Sequence, residues 1–358
     1  MKKRMAILGV MASVYCTSYG SGRAYITVKV IDADTGRPIP KIRVEGGFLN
    51  SSPSWGVAGK DDNDESTTDR NGFCRLSGCT DMGESCCIVR CNAGYYNSGW
   101  YALNYQERSF LKLGRWMPDN VVVTVRLDRI VSPIPLYVKK AVGVYRHRER
   151  SDRIIDTTYK ELSTALLKTN NVRNVRNATM AFDMIEGDWL PPIGNGNVAD
   201  IAFTFNEDVL GWKIAEGHGV SIHKKYKMNA LISIAGDGNG IVEVPSDQNA
   251  GIKLRTAPSN GYVNTLTRWR GWFGGGDGSK TDCDKNRCYA FRIRTVYDDD
   301  GNVKSAYYGK IYGDFDLSGL EGVSFIYYLN PTPNDRNLEW DMTNNVCPDP
   351  GDIGNPRP

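Results

Sequence analysis

The stretch VIDADTGRPIPKIRVEGG, residues 30–47, has the form of two short strands separated by a turn. Just before the turn, over residues 26–30, every second residue is apolar, and the same holds after it, over residues 42–44. A period of two is typical of strands that bury one face. The connecting DADTGRP contains aspartate, glycine and proline, which favour turn conformations. The stretch therefore predicts a β-rich domain.

The same pattern continues further along the chain. Residues 121–127 alternate valine and leucine with more polar positions, and turn signals occur in TDRNG (68–72) and NAGYYNSG (92–99). Short strands at close spacing, separated by turns, predict an antiparallel β-sandwich with a hairpin between the first two strands. We place this first sandwich over residues 24–128.

Four segments together resemble a carboxypeptidase regulatory-like domain: VKVIDADTGRPIPKIRVEGG (28–47), TDRNGFCRL (68–76), AGYY (93–96) and VVVTVRLD (121–128). The resemblance implies a transthyretin-like β-sandwich that serves as an accessory module and has no catalytic residues. The chain departs from the family in the long loop over residues 49–66 and in a cluster of cysteines.

The N-terminus has the order of a secretory signal peptide. Lys2, Lys3 and Arg4 precede the apolar run MAILGVMASV and the small or polar CTSYGSG, which together fill residues 1–22. A buried first strand and a lipoprotein signal at Cys16 are the alternatives. Removal of this segment takes away three positive charges and leaves a chain with no net charge, which argues against nucleic-acid binding. No apolar run approaches the ~20 residues that span a bilayer.

Eight cysteines remain after the signal segment. Five of them crowd into CRLSGCTDMGESCCIVRC, and the full set is Cys74, Cys79, Cys86, Cys87, Cys91, Cys283, Cys288 and Cys347. An even number in an exported chain predicts disulfides, whereas a zinc site would need CxxC or histidine spacing that is absent here. Cys87 and Cys91 share a strand face about 13 Å apart and cannot bond each other. A local disulfide is expected to close CDKNRC (283–288).

A second, larger β-sandwich is expected over residues 181–346, giving a mainly β fold. RIVSPIPLYVKK contains two prolines and predicts the start of a stiff linker over 129–180, in which TTYKELSTALLK (157–168) is a short helix. The residues from 347 to 358 are too rich in proline, glycine and aspartate to be ordered. Phrases such as FDMIEGDWLPP and SAYYGKIYGDF resemble uncharacterised secreted bacterial proteins.

One hairpin of this second domain can be predicted in detail, over residues 289–312. A three-residue loop with Gly301 in the left-handed bulge position pairs Tyr297 with Val303, and Tyr289 with Ile311. In this register Phe291 covers Gly309. The opposite face receives a set of polar and basic residues: Arg292, Arg294, Lys304, Tyr308 and Lys310.

Catalytic and metal motifs are missing from the sequence. The three histidines, His147, His218 and His223, form no HExxH, and no GxSxG elbow or phosphate loop occurs. The acidic run DDNDES (61–66) lacks the pattern of an EF-hand loop and predicts a solvated loop. No metal or cofactor is expected. Two carboxylate pairs could serve a glycosidase, namely Glu186 with Asp188 and Asp314 with Asp316.

The one feature that suggests ligand binding is aromatic. TRWRGWF places Trp269, Arg270, Trp272 and Phe273 beside a glycine-rich loop, and such groups bind sugar rings or protein surfaces when exposed. The alternative is that the tryptophans fill the core. We therefore expect a secreted or cell-envelope protein that is non-catalytic and has a binding or structural role. Its expected partner is a glycan or another exported protein. The alternative is an extracellular carbohydrate-binding or carbohydrate-active protein with its site in the second domain.

Overall fold

A computed structural model describes most of the chain. The described residues are 22–49, 62–81, 84–90, 94–96, 101–104, 110–117, 121–144, 176–216, 220–244, 254–274, 279–318 and 322–354. Within these ranges every regular element is a β-strand and no helix occurs. The chain divides into two units, with the boundary between Val131 and Ser132. The prediction of a mainly β, multi-domain fold is confirmed.

The first unit consists of two facing sheets. One sheet has the order β4-β1-β8-β7, with β9 following β8 along the same edge of β1. Its strands are β1 (Gly22–Asp32), β4 (Phe73–Thr80), β7 (Phe110–Lys112), β8 (Arg115–Met117) and β9 (Val121–Leu127). The other sheet has the order β3-β2-β5-β6. Its strands are β2 (Arg43–Phe48), β3 (Asp62–Thr67), β5 (Glu84–Arg90) and β6 (Tyr101–Asn104).

The expected hairpin between the first two strands is wrong, because β1 and β2 belong to different sheets. β1 pairs antiparallel with β4 and parallel with β9. The turn itself forms as the sequence indicates: Asp32 accepts hydrogen bonds at Oδ1 from the amides of Asp34 and Thr35, at 3.1 and 2.8 Å. After a single bridge between Ile31 and Pro38 the chain leaves the sheet, since two prolines in this segment remove the amides that a hairpin ladder needs.

The apolar faces of the two sheets meet in one core. Ile26, Val28, Val30, Val44 and Leu76 have no exposed surface, which is the alternation read from the sequence. Glycines allow the sheets to approach closely: a Cβ on Gly78 would lie 2.2 Å from the ring of Phe48, which is fully buried. Burying a side chain of this size contributes about 1.5–3 kcal/mol.

The second unit is a larger sandwich. Its seven-stranded sheet has the order β15-β18-β19-β21-β10-β22, with β20 beside β21. These strands are β10 (Ile134–Val144), β15 (Gly240–Val244), β18 (Cys288–Tyr297), β19 (Val303–Tyr312), β20 (Asp316–Ser318), β21 (Gly322–Leu329) and β22 (Trp340–Asn345). The six-stranded sheet has the order β12-β11-β13-β14-β16-β17. These are β11 (Arg176–Asp183), β12 (Asp188–Trp189), β13 (Ile201–Glu216), β14 (Val220–Ser233), β16 (Thr265–Trp272) and β17 (Ser279–Thr281).

An aromatic core joins these two sheets. The rings of Phe203 on β13 and Phe325 on β21 lie 5.6 Å apart, and Phe182 on β11 packs edge-on against Tyr327 at 5.7 Å. All four side chains are buried. Edge-on contacts between aromatic rings add about 0.5–1.5 kcal/mol to the effect of burial.

The predicted hairpin over residues 289–312 is confirmed. Strands β18 and β19 show the expected pairs, including Tyr297 with Val303 and Phe291 with Gly309. The detail that differs is Arg294. The ladder is irregular after Ile293, Arg294 has a φ of 52°, and this bulge directs its side chain to the six-stranded sheet rather than to the face of Arg292.

The segment expected to be a linker contributes a central strand. β10 pairs with β21 from Tyr137 to Val144 and lies parallel to β22. Pro135 precedes the first β21 pair, so its missing amide costs that ladder no hydrogen bond. The expected helix over 157–168 lies outside the described residues.

The C-terminal residues predicted to be disordered are packed as far as they are described, up to residue 354. Cys347 is buried, and the amide of Lys140 on β10 donates to the carbonyl of Pro350 at 3.0 Å. Lys139 forms an ion pair with Asp349 at 3.4 Å. The prediction failed because prolines prevent a regular ladder but not docking along a strand edge.

Disulfides are absent among the described cysteines. The structure shows no disulfide bond at Cys74, Cys79, Cys86, Cys87, Cys283, Cys288 or Cys347, and Cys91 lies outside the described residues. Burial raises the pKa of Cys74 to about 11 and that of Cys87 to about 12, so both are protonated. The expected bond between Cys283 and Cys288 is wrong, because Cys283 packs against the inter-sheet core while Cys288 belongs to a cluster on the opposite face of its sheet.

Candidate functional site

Asp314 and Asp316, one of the two carboxylate pairs proposed for catalysis, differ in burial. Asp314, whose side chain is 3% exposed, receives Arg268 Nε at 3.2 Å, Arg287 Nη1 at 2.7 Å and the Tyr289 hydroxyl at 2.8 Å. Asp316 is 68% exposed and pairs only loosely with Arg270, at 3.6 Å. The two carboxylates therefore have different environments, and the buried one is fully used in holding neighbouring side chains.

A second acid balances the same two arginines. Glu243 on β15 accepts from Arg268 Nη2 at 3.0 Å and lies 3.3 Å from Arg287 Nε. Burial alone would lower the pKa of Arg268, but its contacts with Tyr289 and Asp314 outweigh burial and raise it. Burial is also the main reason that the pKa of Tyr289 is raised. The cluster is a closed charge network at ordinary pH.

Asp183 and Asp200 form a second buried network with Arg294. Arg294 Nη2 lies 2.5 Å from Asp183 and 2.9 Å from Asp200. Asp183 also accepts hydrogen bonds from four backbone amides, which with Arg294 outweigh burial and lower its pKa. The pKa of Asp200 is raised, because burial dominates there. These acids fix the loops between β11, β12 and β13.

The second proposed carboxylate pair borders an open groove of about 550 Å³. Asp188 accepts from the amides of Trp189 and Asn195 at 2.8 and 2.9 Å, so its oxygens hold a loop. Glu186 lines the groove. Trp189 also lines the groove and donates its indole N–H to the carbonyl of Val142 at 2.9 Å. Both acids of this pair thus line one groove together with Asp349, and Asp188 is committed to backbone amides.

The acidic run at 61–66 is neither a calcium loop nor a solvated loop. From Asp62 onward its residues belong to β3, and two carboxylates reach across to the edge of the other sheet. Asp64 accepts from the amide of Ser77 at 2.7 Å and Asp62 from that of Cys79 at 2.8 Å. They occupy the amides of an edge strand that would otherwise be open to pairing.

Strand β16 divides the aromatic cluster between the two faces of its sheet. Arg270 reaches inward and donates to the carbonyl of Leu317 at 2.8 Å. Trp269 lies on the outer face, where its ring meets Phe273 edge-on at 6.2 Å. Trp272 alternates with Trp269 and shares the inward face. The four residues predicted to bind one ligand therefore do not form one surface, and Trp269 and Trp272 are half-buried rather than central to the core.

A fully buried lysine was not anticipated from the sequence. Lys310 on β19 lies over the rings of Tyr312 and Tyr328, at 4.7 and 5.1 Å. Burial lowers its pKa to about 7, and the nearby Cys288 and Glu339 act in the opposite direction. The position belongs to a strand face that the sequence pattern marks only as polar.

Among the described residues no group of three or more His, Cys, Asp or Glu side chains could hold a metal ion. Nor do those residues include a helix of the length and apolarity that crossing a bilayer needs. His223 lies in β14, while His147 and His218 lie outside the described residues.

The chain has structural neighbours of low similarity among solved structures. No family model and no curated protein matches the sequence. The shaft pilin SpaA of Lactobacillus rhamnosus GG aligns at 10% identity over 62% of this chain and 90% of its own, with a TM-score of 0.21. The major pilin SpaD of Corynebacterium diphtheriae aligns at 10% identity over 85% of this chain and 91% of its own, with a TM-score of 0.23. A Bacteroides fragilis protein described as membrane-associated and of unknown function aligns at 10% identity over 88% of this chain and 99% of its own, with a TM-score of 0.18. These scores are too low to transfer a fold or a function.

Proposed function

We propose that this chain is an exported, non-catalytic structural protein of the bacterial cell envelope. Two β units form its body, and its partners are envelope polymers or other exported proteins. The signal-like order of residues 1–22 supports export.

The observation that carries the proposal is the pairing of the buried carboxylates. A glycosidase needs two carboxyl groups that are free to exchange protons and to contact substrate. Asp314, Asp183 and Asp200 instead neutralise arginines, and Asp188 caps backbone amides. These four carboxylates therefore stabilise loops and are not free to exchange a proton beside a second acid.

Protection of strand edges supports a structural role. Asp62 and Asp64 occupy amides on the edge of β4, and the C-terminal segment covers part of the edge of β10 through Pro350. Asn345 adds two side-chain hydrogen bonds to Val138, each 2.9 Å long. Edges capped in this way restrict pairing with other chains to chosen surfaces.

The test of export is fractionation of a bacterial host that expresses the full chain with a C-terminal tag. We expect a processed protein outside the cytoplasm, with its new N-terminus near residue 23. A variant with Lys2, Lys3 and Arg4 changed to glutamate should stay unprocessed inside the cell. A matched control changes Lys29, Lys41 and Arg43, which lie beyond the signal segment. Unprocessed wild-type protein in the cytoplasm would contradict the proposal.

The test of the non-catalytic role is release of reducing ends from a panel of envelope and plant polysaccharides. We expect no turnover by the exported chain. Turnover that is lost in Asp188→Asn or Asp314→Asn, while the variant remains folded, would refute the structural assignment and establish a carbohydrate-active enzyme.

A further inference from the structure

The outer face of the six-stranded sheet carries an aromatic platform. On β14, Met228, Ala230 and Ile232 face the core, so Lys227 and Asn229 face outward. On the neighbouring strand the register pairs Asn229 with Trp269 and Lys227 with Gly271.

Gly271 allows Phe273 to lie against the sheet. A Cβ at Gly271 would come within 3.0 Å of two atoms of the Phe273 ring, so the ring covers the space that a side chain would fill. Phe273 is 37% exposed and meets Trp269 at an interplanar angle of 84°. The result is two adjoining rings at one end of the outer sheet face.

Lysines surround this platform. Lys227 Nζ lies 5.1 Å from the centre of the Trp269 ring, and the side chain of Lys225 runs beside Gly274. Lys280 on β17 is exposed and is the register partner of Gly271. The acid directly across from Lys227 is Asp208, which accepts a hydrogen bond from Asn229 at 3.4 Å. Asp282 also lies here, with Oδ1 accepting the Trp269 amide at 2.6 Å, so the groups that can meet an acidic ligand are the ammonium groups of Lys225 and Lys227 beside the two rings.

We propose that Trp269, Phe273, Lys225 and Lys227 form a binding surface for an anionic glycan whose sugars carry carboxylates, a polyuronate. Aromatic rings bind the apolar faces of sugar rings, and lysines bind carboxylates, so the two kinds of group together select sugars that are also acids. Neither Arg270 nor Trp272 belongs to this surface, because both face inward.

Three polymers of similar length separate the contributions of charge and sugar. Polygalacturonate carries both, its fully methyl-esterified form keeps the sugar without the charge, and polyglutamate keeps the charge without the sugar. Binding to the purified full chain is measured by affinity electrophoresis or biolayer interferometry at two salt concentrations. We expect binding to polygalacturonate, at least tenfold tighter than to either of the other two, and weaker at high salt.

Four variants locate the surface. Lys227→Gln and Phe273→Ala should each weaken binding to polygalacturonate about three- to tenfold. Lys304→Gln removes the same charge from an exposed site on the other sheet, and Leu231→Ala truncates a 42% exposed side chain at the far end of the same outer face. Both controls should bind as the wild type does. Lys227→Gln changes no buried group, so its result does not depend on an aromatic contribution to folding.

Equal binding to polyglutamate and polygalacturonate would overturn the proposal in favour of a general anion surface. Equal binding to the esterified polymer would overturn the role of the lysines. Absence of binding to all three polymers, or binding that Lys227→Gln and Phe273→Ala leave unchanged, would overturn the surface itself. The inference rests on the proposed function only for access to envelope polymers, and the fractionation result stands or fails independently of it.

Discussion

Replacing Asp314 with asparagine tests whether the second unit depends on its buried charge network. Asp314 is the shared acceptor of Arg268 and Arg287, whose side chains are 11% and 26% exposed. Asparagine keeps the size of the side chain but removes the negative charge. Loss of one partner from a buried ion pair costs about 3–5 kcal/mol. Since Glu243 still contacts both arginines, we expect the lower end, about 3 kcal/mol.

Asp316→Asn is the matched control. It makes the same chemical change two residues away, but Asp316 is 68% exposed and contacts one arginine at 3.6 Å. Exposed pairs contribute about 0–1 kcal/mol. For a domain of this size 1 kcal/mol shifts Tm by about 2–4 °C, so Asp314→Asn should lower the Tm of the second unit by about 6–12 °C and Asp316→Asn by a few degrees at most.

Scanning calorimetry on the full chain resolves this difference, because the transition of the second unit can be followed while that of the first serves as an internal reference. Urea unfolding monitored by fluorescence provides a second measurement. Equal shifts for the two variants would refute the reasoning, since they would mean that burial of Asp314 adds nothing to its contacts. A larger shift for Asp316→Asn would place the essential carboxylate at the surface.

Three further changes test other parts of the fold. Hydrogen bonds lower the pKa of Asp32 although burial opposes them. The stabilising effect of the Asp32 carboxylate is therefore present above the unfolded pKa of about 4 and is lost as pH falls below it. Asp32→Asn should cost about 1–3 kcal/mol of unfolding free energy at pH 7 and make stability depend less on pH in acid unfolding experiments. Burial lowers the pKa of Lys310 to about 7, so between pH 7 and 10 the unfolded chain binds a proton there that the folded chain does not. The unfolding free energy of the wild type should therefore rise over that range. Lys310→Met should abolish the rise and stabilise the fold at pH 7 by about 1–4 kcal/mol in urea titrations. Gly309→Ala places a Cβ 2.0 Å from the Phe291 ring and should destabilise by about 1–3 kcal/mol or more in calorimetry. Gly301→Ala meets no neighbouring atom, so its cost should come only from backbone strain at a φ of 81°, about 1 kcal/mol.

Local patterns in the sequence predicted strands and turns, but not which strands pair. The hairpin over 289–312 was predicted correctly because both strands and the turn lie within one continuous segment. β1 and β2 are also adjacent in sequence, yet β1 pairs with β4 and β9. Alternation of apolar residues predicts that a strand buries one face, but it does not predict which strand pairs with it. The sequence pattern therefore cannot distinguish a sandwich in which consecutive strands change sheets from one in which consecutive strands pair as a meander.

Proline misled the prediction at two places for the same reason. Pro135 indicated a linker and Pro350 a disordered tail, yet both lie along the β10 region. A proline is excluded from a strand only where its amide would donate to a neighbour. Pro135 precedes the ladder with β21, and Pro350 contributes its carbonyl, which proline retains. Such positions become recognisable only when the partner of each backbone group is known.

The candidate sites differ in how far the sequence could have located them. The sequence alone could have separated Trp269 and Phe273 from Arg270 and Trp272. In a strand, residues an even number of positions apart share a face, so Trp269 and Phe273 lie on one face while Arg270 and Trp272 lie on the other. The role of Asp314 could not, since its arginine partner Arg268 is 46 residues away and on another strand. Arg294 is further still from Asp183, at 111 residues, and reaches it only through a bulge. Short spacing along the chain suggests catalytic pairs of carboxylates. Arg268 and Arg294, which neutralise Asp314 and Asp183, instead come from the facing sheet of the sandwich, and this packing decides whether an acid can react or only supports the fold.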